Sequence, residues 1–136
     1  MPFTRISLRE GKTARYVQGV SEALHRSLVA CFDVPQADRF QVIEELPAGM
    51  LVCDRHYMAP EQRSDDVVIF QITAGRERSD ETRARFYARL TEELQSSVGI
   101  RPADVMVIIT TNRLGEWSFS DGVPANATRQ SDATTR

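Results

Sequence analysis

The sequence predicts an α/β protein in which two tandem β-α-β units share a four-stranded mixed sheet, with two helices on one face. Three observations predict it. The apolar pattern repeats at a constant offset of 66 residues, with no gap. Each half has a helix-start signal, Thr13 in the first and Ser79 in the second. Short apolar runs suited to strands flank both amphipathic stretches.

The repeat is legible pair by pair. Val20 matches Phe86, Leu24 matches Leu90, Leu28 matches Leu94 and Phe32 matches Val98. Beyond the helices, Val34 matches Ile100, Asp38 matches Asp104, and Val42 and Ile43 match Ile108 and Ile109. Upstream, Phe3 and Ile6 match Ile69 and Ile72. One helix could show such agreement by chance; strand, helix and strand together do not.

In the first half, Phe3–Leu8 reads as a strand, Thr13–Phe32 as a helix and Phe40–Leu46 as a strand. Val17, Val20, Leu24, Leu28 and Cys31 form the stripe that faces the sheet, which makes Cys31 a core residue. Pro35 stops the helix, because proline lacks an amide hydrogen and biases the residue before it away from helix. In the second half, Val67–Ile72 is a strand, Ser79–Val98 a helix that ends at Gly99, and Val105–Thr111 a strand. The connection Met50–Asp66 is polar, except for a short candidate strand at Leu51–Cys53. The whole chain, 1–136, reads as one domain with pseudo-repeats over 2–48 and 67–112 and a loose polar tail from about 124 to 136.

Composition narrows function by exclusion. Net charge is −2, from 17 basic and 19 acidic residues, so no global field recruits nucleic acid. No apolar run approaches the roughly 18 residues of a membrane span, and no signal peptide opens the chain. Cys31 and Cys53 lack metal-ligand spacing, His25 and His56 are scattered, and a reducing cytoplasm is the expected compartment. The Asn126-Ala127-Thr128 sequon, without secretory context, reads as silent.

Candidate chemistry follows from topology. If the first strands of the two halves pair antiparallel, Pro2, Asp38 and the Gly75–Arg78 segment meet at one sheet edge. A small residue after Met1 allows the methionine to be removed, exposing a secondary amine. A reference α-amino group titrates near about 8, so it can act as base, acid or Schiff-base former at neutral pH. Burial and two arginines push that value down, whereas Asp38 pushes it up.

Arg76 and Arg78, two apart in an extended segment, point the same way and stand before a helix N-terminus, where an anion is favoured. Two guanidinium forks can grip a carboxylate; two solvated charges offset by Asp80 and Glu81 are the plain alternative. Asp38 is both a candidate proton handler and an ordinary turn residue, and Asp104 occupies the matching turn. Trp117 and Phe119 can wall an apolar pocket or pack at an edge, and Tyr57 is a weaker site candidate.

Pro2 opening a strand, Asp38 within Pro35-Gln36-Ala37-Asp38-Arg39-Phe40-Gln41, Arg76-Glu77-Arg78-Ser79 and Trp117-Ser118-Phe119 together resemble the tautomerase superfamily, most closely its malonate semialdehyde decarboxylase branch. The likeness runs from Pro2 to about Gly122. The chain departs from that branch at Glu77, where the characterised decarboxylase has proline, and along 50–66.

The resemblance implies a homotrimer with no metal or organic cofactor, acting on a small carboxylate-bearing carbonyl substrate. In it Pro2 is cationic and polarises the substrate carbonyl or forms an iminium, Arg76 and Arg78 bind the carboxylate, Asp38 handles proton or water, and Trp117 and Phe119 line an apolar wall. The expected activity is decarboxylation of a 3-oxo acid such as malonate semialdehyde, with hydratase activity as a companion. A tautomerase of 2-oxo acids or enols, of 4-oxalocrotonate or phenylpyruvate type, and a non-catalytic trimeric binding protein are the alternatives.

Overall fold

The computed structural model describes residues 1–127. Its elements are β1 (Pro2–Arg9), α1 (Ala14–Cys31), β2 (Phe40–Leu46), β3 (Val68–Ala74), α2 (Asp80–Val98) and β4 (Val105–Thr111). Short 3-10 turns at Pro102–Asp104 and Leu114–Glu116 flank the last strand. The sheet order is β2-β1-β3-β4. β1 and β2 are parallel, as are β3 and β4, while β1 and β3 run antiparallel, with Pro2 opposite Ala74. The two halves therefore join through their first strands, as the repeat predicts.

Local chemistry starts each helix where expected. The Thr13 hydroxyl accepts from the Tyr16 amide at 3.1 Å, and the Ser79 hydroxyl accepts from the Thr82 amide at 3.2 Å. Asp80 and Glu81 add negative charge at the positive end of α2. Gly99 closes α2 in the left-handed region, at φ 77°.

Both helices cover the same face of the sheet. Val20, Leu24 and Leu28 of α1 and Phe86, Leu90 and Leu94 of α2 are buried with Ile6, Leu8, Val68, Phe70 and Ile72. Fully burying a side chain of this size stabilises by about 1.5–3 kcal/mol, so this layer carries the fold. On the other face, β1 presents Phe3, Arg5 and Ser7 beside Phe40, Val42 and Glu44 of β2.

Two expectations change. Leu51–Cys53 forms no strand; it belongs to an irregular excursion held by polar contacts. Arg63 donates to the Asp54 carbonyl at 2.9 Å and to the Tyr57 carbonyl at 2.6 Å, while Ser64 donates its amide to Asp104 at 2.7 Å and its hydroxyl at 2.6 Å. With its backbone tied to side chains, this segment offers no free strand edge. The tail expected to be loose from 124 is docked as far as Ala125, which is buried and donates to the Trp117 carbonyl at 2.9 Å. The remainder of that tail, 128–136, lies outside the described residues. No described helix is long and apolar enough to cross a membrane.

Candidate active site

One end of the sheet collects the start of β1, the turn before β2, the segment after β3, the segment after β4 and the end of α1. Antiparallel pairing of β1 and β3 is what brings together groups some seventy residues apart. The Met1 amine lies 3.3 Å from Asp38 Oδ2. Pro2 follows, buried at the head of β1. Its nitrogen is three covalent bonds from the Met1 nitrogen, within about 4 Å.

Asp38 is aimed by its turn. Its amide donates to the Pro35 carbonyl at 3.0 Å. Buried polar residues of α1 hold the flanking chain. His25 Nε2 donates to the Gln36 carbonyl at 2.8 Å, since that oxygen can only accept. Arg39 donates to the Ser21 hydroxyl at 2.8 Å, and Gln41 exchanges hydrogen bonds with Ser21. Asp38 Oδ1 is buried without a partner among the described residues. An unsatisfied carboxylate oxygen is costly, and beside an amine it marks a place for a proton or a polar ligand atom.

The arginine pair reaches the same end at two depths. Both side chains turn toward the C-terminus of α1. Arg78 is 9% exposed; it donates to the Phe32 carbonyl at 2.8 Å and to the Arg76 carbonyl at 2.9 Å, and its guanidinium lies 4.7 Å from the Phe32 ring centroid. Its Nε is buried with no partner among the described residues. Arg76 stays in solvent, 3.4 Å from Asp33. The simple alternation that points both forks alike thus holds for direction but not for burial. Glu77, between them, is exposed.

The charges act on one another. Burial holds the terminal amine below its ordinary value; Asp38 pulls it back by charge and hydrogen bond, and Arg78 and Arg76 lower it further. Burial also lowers the Arg78 guanidinium, with Arg76 adding to the effect and Asp33 and Asp38 opposing it.

The aromatic expectation divides. Phe119 lines a cavity of about 400 Å³ together with Met1, Leu114, Val123 and Ala125. Trp117 stacks on Phe119 at 5.5 Å and 15°, and Phe119 meets Phe40 at 5.4 Å. The Trp117 indole N–H donates to Asn112 Oδ1 at 2.6 Å, so Trp117 supports the wall from behind. Tyr57 is 74% exposed in the 47–67 excursion and takes no part.

Sequence reasoning missed Asn112, Leu114, Phe32 and His25, and it placed Gly75 at this edge only as the start of the 75–78 segment, with no role of its own. Gly75 has a tight environment: a Cβ there would meet Trp117 Nε1 at 3.2 Å and Met1 Cβ at 3.4 Å. A glycine directly after a strand and before two arginines was the available cue. Phe32 carries no such cue, because its pattern is that of any core position.

Comparison with known proteins places the fold in a family. Residues 38–120 match a family model described as "Tautomerase enzyme", and residues 2–59 match a second model of the same description. The chain is similar to the probable tautomerase YusQ of Bacillus subtilis (strain 168), 30% identical over 122 residues, which covers 90% of this chain and 95% of the relative. Among solved structures, a malonate semialdehyde decarboxylase superposes with a TM-score of 0.87 at 30% identity, covering 94% of this chain and 98% of that one. A fused 4-OT solved as a symmetric trimer shares the fold, with a TM-score of 0.75 at 17% identity, covering 93% of this chain and 98% of that one.

Proposed function

The chain belongs to the tautomerase family, and we propose that it is a small oxo-acid enzyme working through the amine of Pro2 once Met1 is removed. The reaction we assign is decarboxylation of a 3-oxo acid such as malonate semialdehyde, with hydratase activity as a companion. The observation that carries this reading is the terminal amine set 3.3 Å from Asp38 while Arg76 and Arg78 act on it from the same sheet edge.

Loss of carbon dioxide from a 3-oxo acid leaves an electron pair that the carbonyl must absorb. An iminium on Pro2, or a proton shared with the amine, takes up that charge. Arg76, exposed and paired with the solvated carboxylate of Asp33, is placed to hold the substrate carboxylate. Arg78, committed to two carbonyls, sets the positive potential from below. Asp38 handles the proton, and the wall of Phe119 and Leu114 weakens solvation of the departing group.

One observation favours a second reading. Burial and the two arginines hold the Met1 amine below its ordinary value, and the same surroundings acting on a freed Pro2 nitrogen favour its use as a base that removes an α-proton over the cationic role. A tautomerase of 2-oxo acids or enols uses the same parts in that way. We also assign a homotrimer. The sheet face away from the helices carries Phe40, Val42, Met106 and Ile108, 45%, 40%, 37% and 42% exposed, and such a face suits contact between subunits.

The test is mass spectrometry of the purified protein, to establish that Met1 is gone, followed by a screen of small oxo acids for carbon dioxide release and for enol–keto conversion. Pro2→Ala lowers turnover by about two to four orders of magnitude, the span of acid–base and nucleophilic contributions. Full turnover in that variant removes the reading, and an inert processed protein leaves a binding protein in its place.

A further inference from the structure

Met1 is held at three points. Its amine faces Asp38 at 3.3 Å, its carbonyl oxygen accepts from the Gly75 amide at 2.9 Å, and its side chain lines the apolar cavity with Phe119 and Leu114. Its carbonyl carbon is bonded to the Pro2 nitrogen. A substrate carbonyl carbon attacked by a free Pro2 nitrogen forms the same bond, so its oxygen comes to stand where the Met1 oxygen stands. We propose that the backbone N–H of Gly75 is a catalytic hydrogen-bond donor to the substrate carbonyl oxygen during attack by the Pro2 nitrogen. This inference rests on the Pro2 reading above.

The donor is fixed before substrate arrives. The Ala74 carbonyl and the Gly75 N–H belong to one peptide group. Asn112 donates its amide to that carbonyl at 2.9 Å, so the peptide plane is locked and its N–H points at the Pro2 end of β1. A peptide group engaged at its oxygen is also a better donor at its nitrogen. Asn112 holds Trp117 as well, through the 2.6 Å bond from the indole N–H. Trp117 Nε1 and Met1 Cβ in turn stand 3.2 Å and 3.4 Å from where a Cβ on residue 75 would be. Glycine is therefore the residue that lets a ligand approach this N–H.

The step balances. The lone pair of neutral Pro2 forms the N–C bond, the π pair of the carbonyl moves onto oxygen, and the proton on nitrogen passes to that oxygen by way of Asp38, giving a neutral carbinolamine. Between attack and proton transfer the oxygen is negative, and the Gly75 N–H stabilises it there. Expulsion of that oxygen as water, with one proton taken from solvent, leaves the iminium. A preorganised donor aimed at developing charge contributes a factor of about 10²–10³ to kcat.

The decisive variant is Gly75→glycolate, which turns the Ala74–Gly75 amide into an ester and removes the N–H without adding a side chain. We expect kcat to fall by about 10²–10³, with KM changed less than about twofold; wild-type kcat overturns the proposal. A second measurement follows the Gly75 amide resonance of the processed protein. Formylating Pro2 places a carbonyl on its nitrogen and is expected to move that resonance downfield and slow its hydrogen exchange. An unmoved, fast-exchanging resonance overturns the proposal as well. Pro2→Ala separates the two ideas: if it abolishes turnover while the ester variant keeps wild-type kcat, Gly75 is wrong and Pro2 stands. If Pro2→Ala keeps full turnover, the Pro2 reading has failed, and Gly75 with it.

Discussion

Arg76 and Arg78 differ by two positions in sequence, yet removing them should have very different consequences. Arg78→Ala takes away two charged hydrogen bonds to carbonyls, at 2.8 and 2.9 Å, each contributing about 1.5–3 kcal/mol. It also removes a guanidinium 4.7 Å from the Phe32 ring, a contact that contributes about 0.5–2 kcal/mol. Against this, the desolvation cost of a cation, several kcal/mol, is relieved when the charge goes. The net expectation is a loss of about 1–3 kcal/mol.

For a chain of this size 1 kcal/mol corresponds to about 3–5 °C, so Tm falls by about 3–15 °C. Arg76 is 58% exposed and meets Asp33, which is 96% exposed, at 3.4 Å, so Arg76→Ala costs less than about 1 kcal/mol. Urea and thermal unfolding of both variants measure the stability difference, and calorimetric titration with a small oxo acid measures binding. Arg78→Ala should weaken both properties and Arg76→Ala chiefly binding. Arg78→Lys should rescue little, because a point charge cannot span two carbonyls as a planar fork does. Equal Tm values for Arg78→Ala and Arg76→Ala would refute the strut assigned to Arg78.

Two further outcomes are expected. Asp104→Ala strands the Ser64 amide and hydroxyl beneath a carboxylate that is 1% exposed, and should cost about 2–4 kcal/mol in urea unfolding, with fast hydrogen exchange appearing at Ser64; unchanged stability contradicts the latch. Asp38→Asn removes the charge that raises the terminal amine, so the amine should titrate lower still, the neutral form should persist to lower pH, and the acid limb of any amine-dependent rate should move the same way; an upward shift in an NMR titration contradicts the pairing.

The fold was largely legible because its signals are local. Thr13 and Ser79 cap helices wherever they stand before an amphipathic stretch, Gly99 ends one because it tolerates a positive φ, and period-two apolar runs make strands. The bounds of β2 and β4 match the expected ones residue for residue. The 50–66 segment was less legible, since its order comes from the turn that Asp54 makes, from Arg63 reaching back to carbonyls of the same segment and from Asp104 reaching across the chain, rather than from any periodic pattern. Phe32 and His25 were opaque for a similar reason: a core aromatic and a buried histidine look alike whether or not a site stands above them.

The repeat itself separates what sequence determines from what tertiary structure decides. Matching positions place Asp38 and Asp104 in equivalent turns, and both carboxylates receive a nitrogen from the chain leading into the neighbouring first strand: the Met1 amine for Asp38, the Ser64 amide for Asp104. Sequence by itself determined two half-units, their strands and caps, and a carboxylate in each turn. Tertiary structure decided that one carboxylate latches the chain at Ser64 while the other faces the Met1 amine. It also decided how deep each arginine sits and where the Gly75 N–H points. Those properties depend on which surfaces pack over them, and packing is a relation among distant residues that no local pattern encodes.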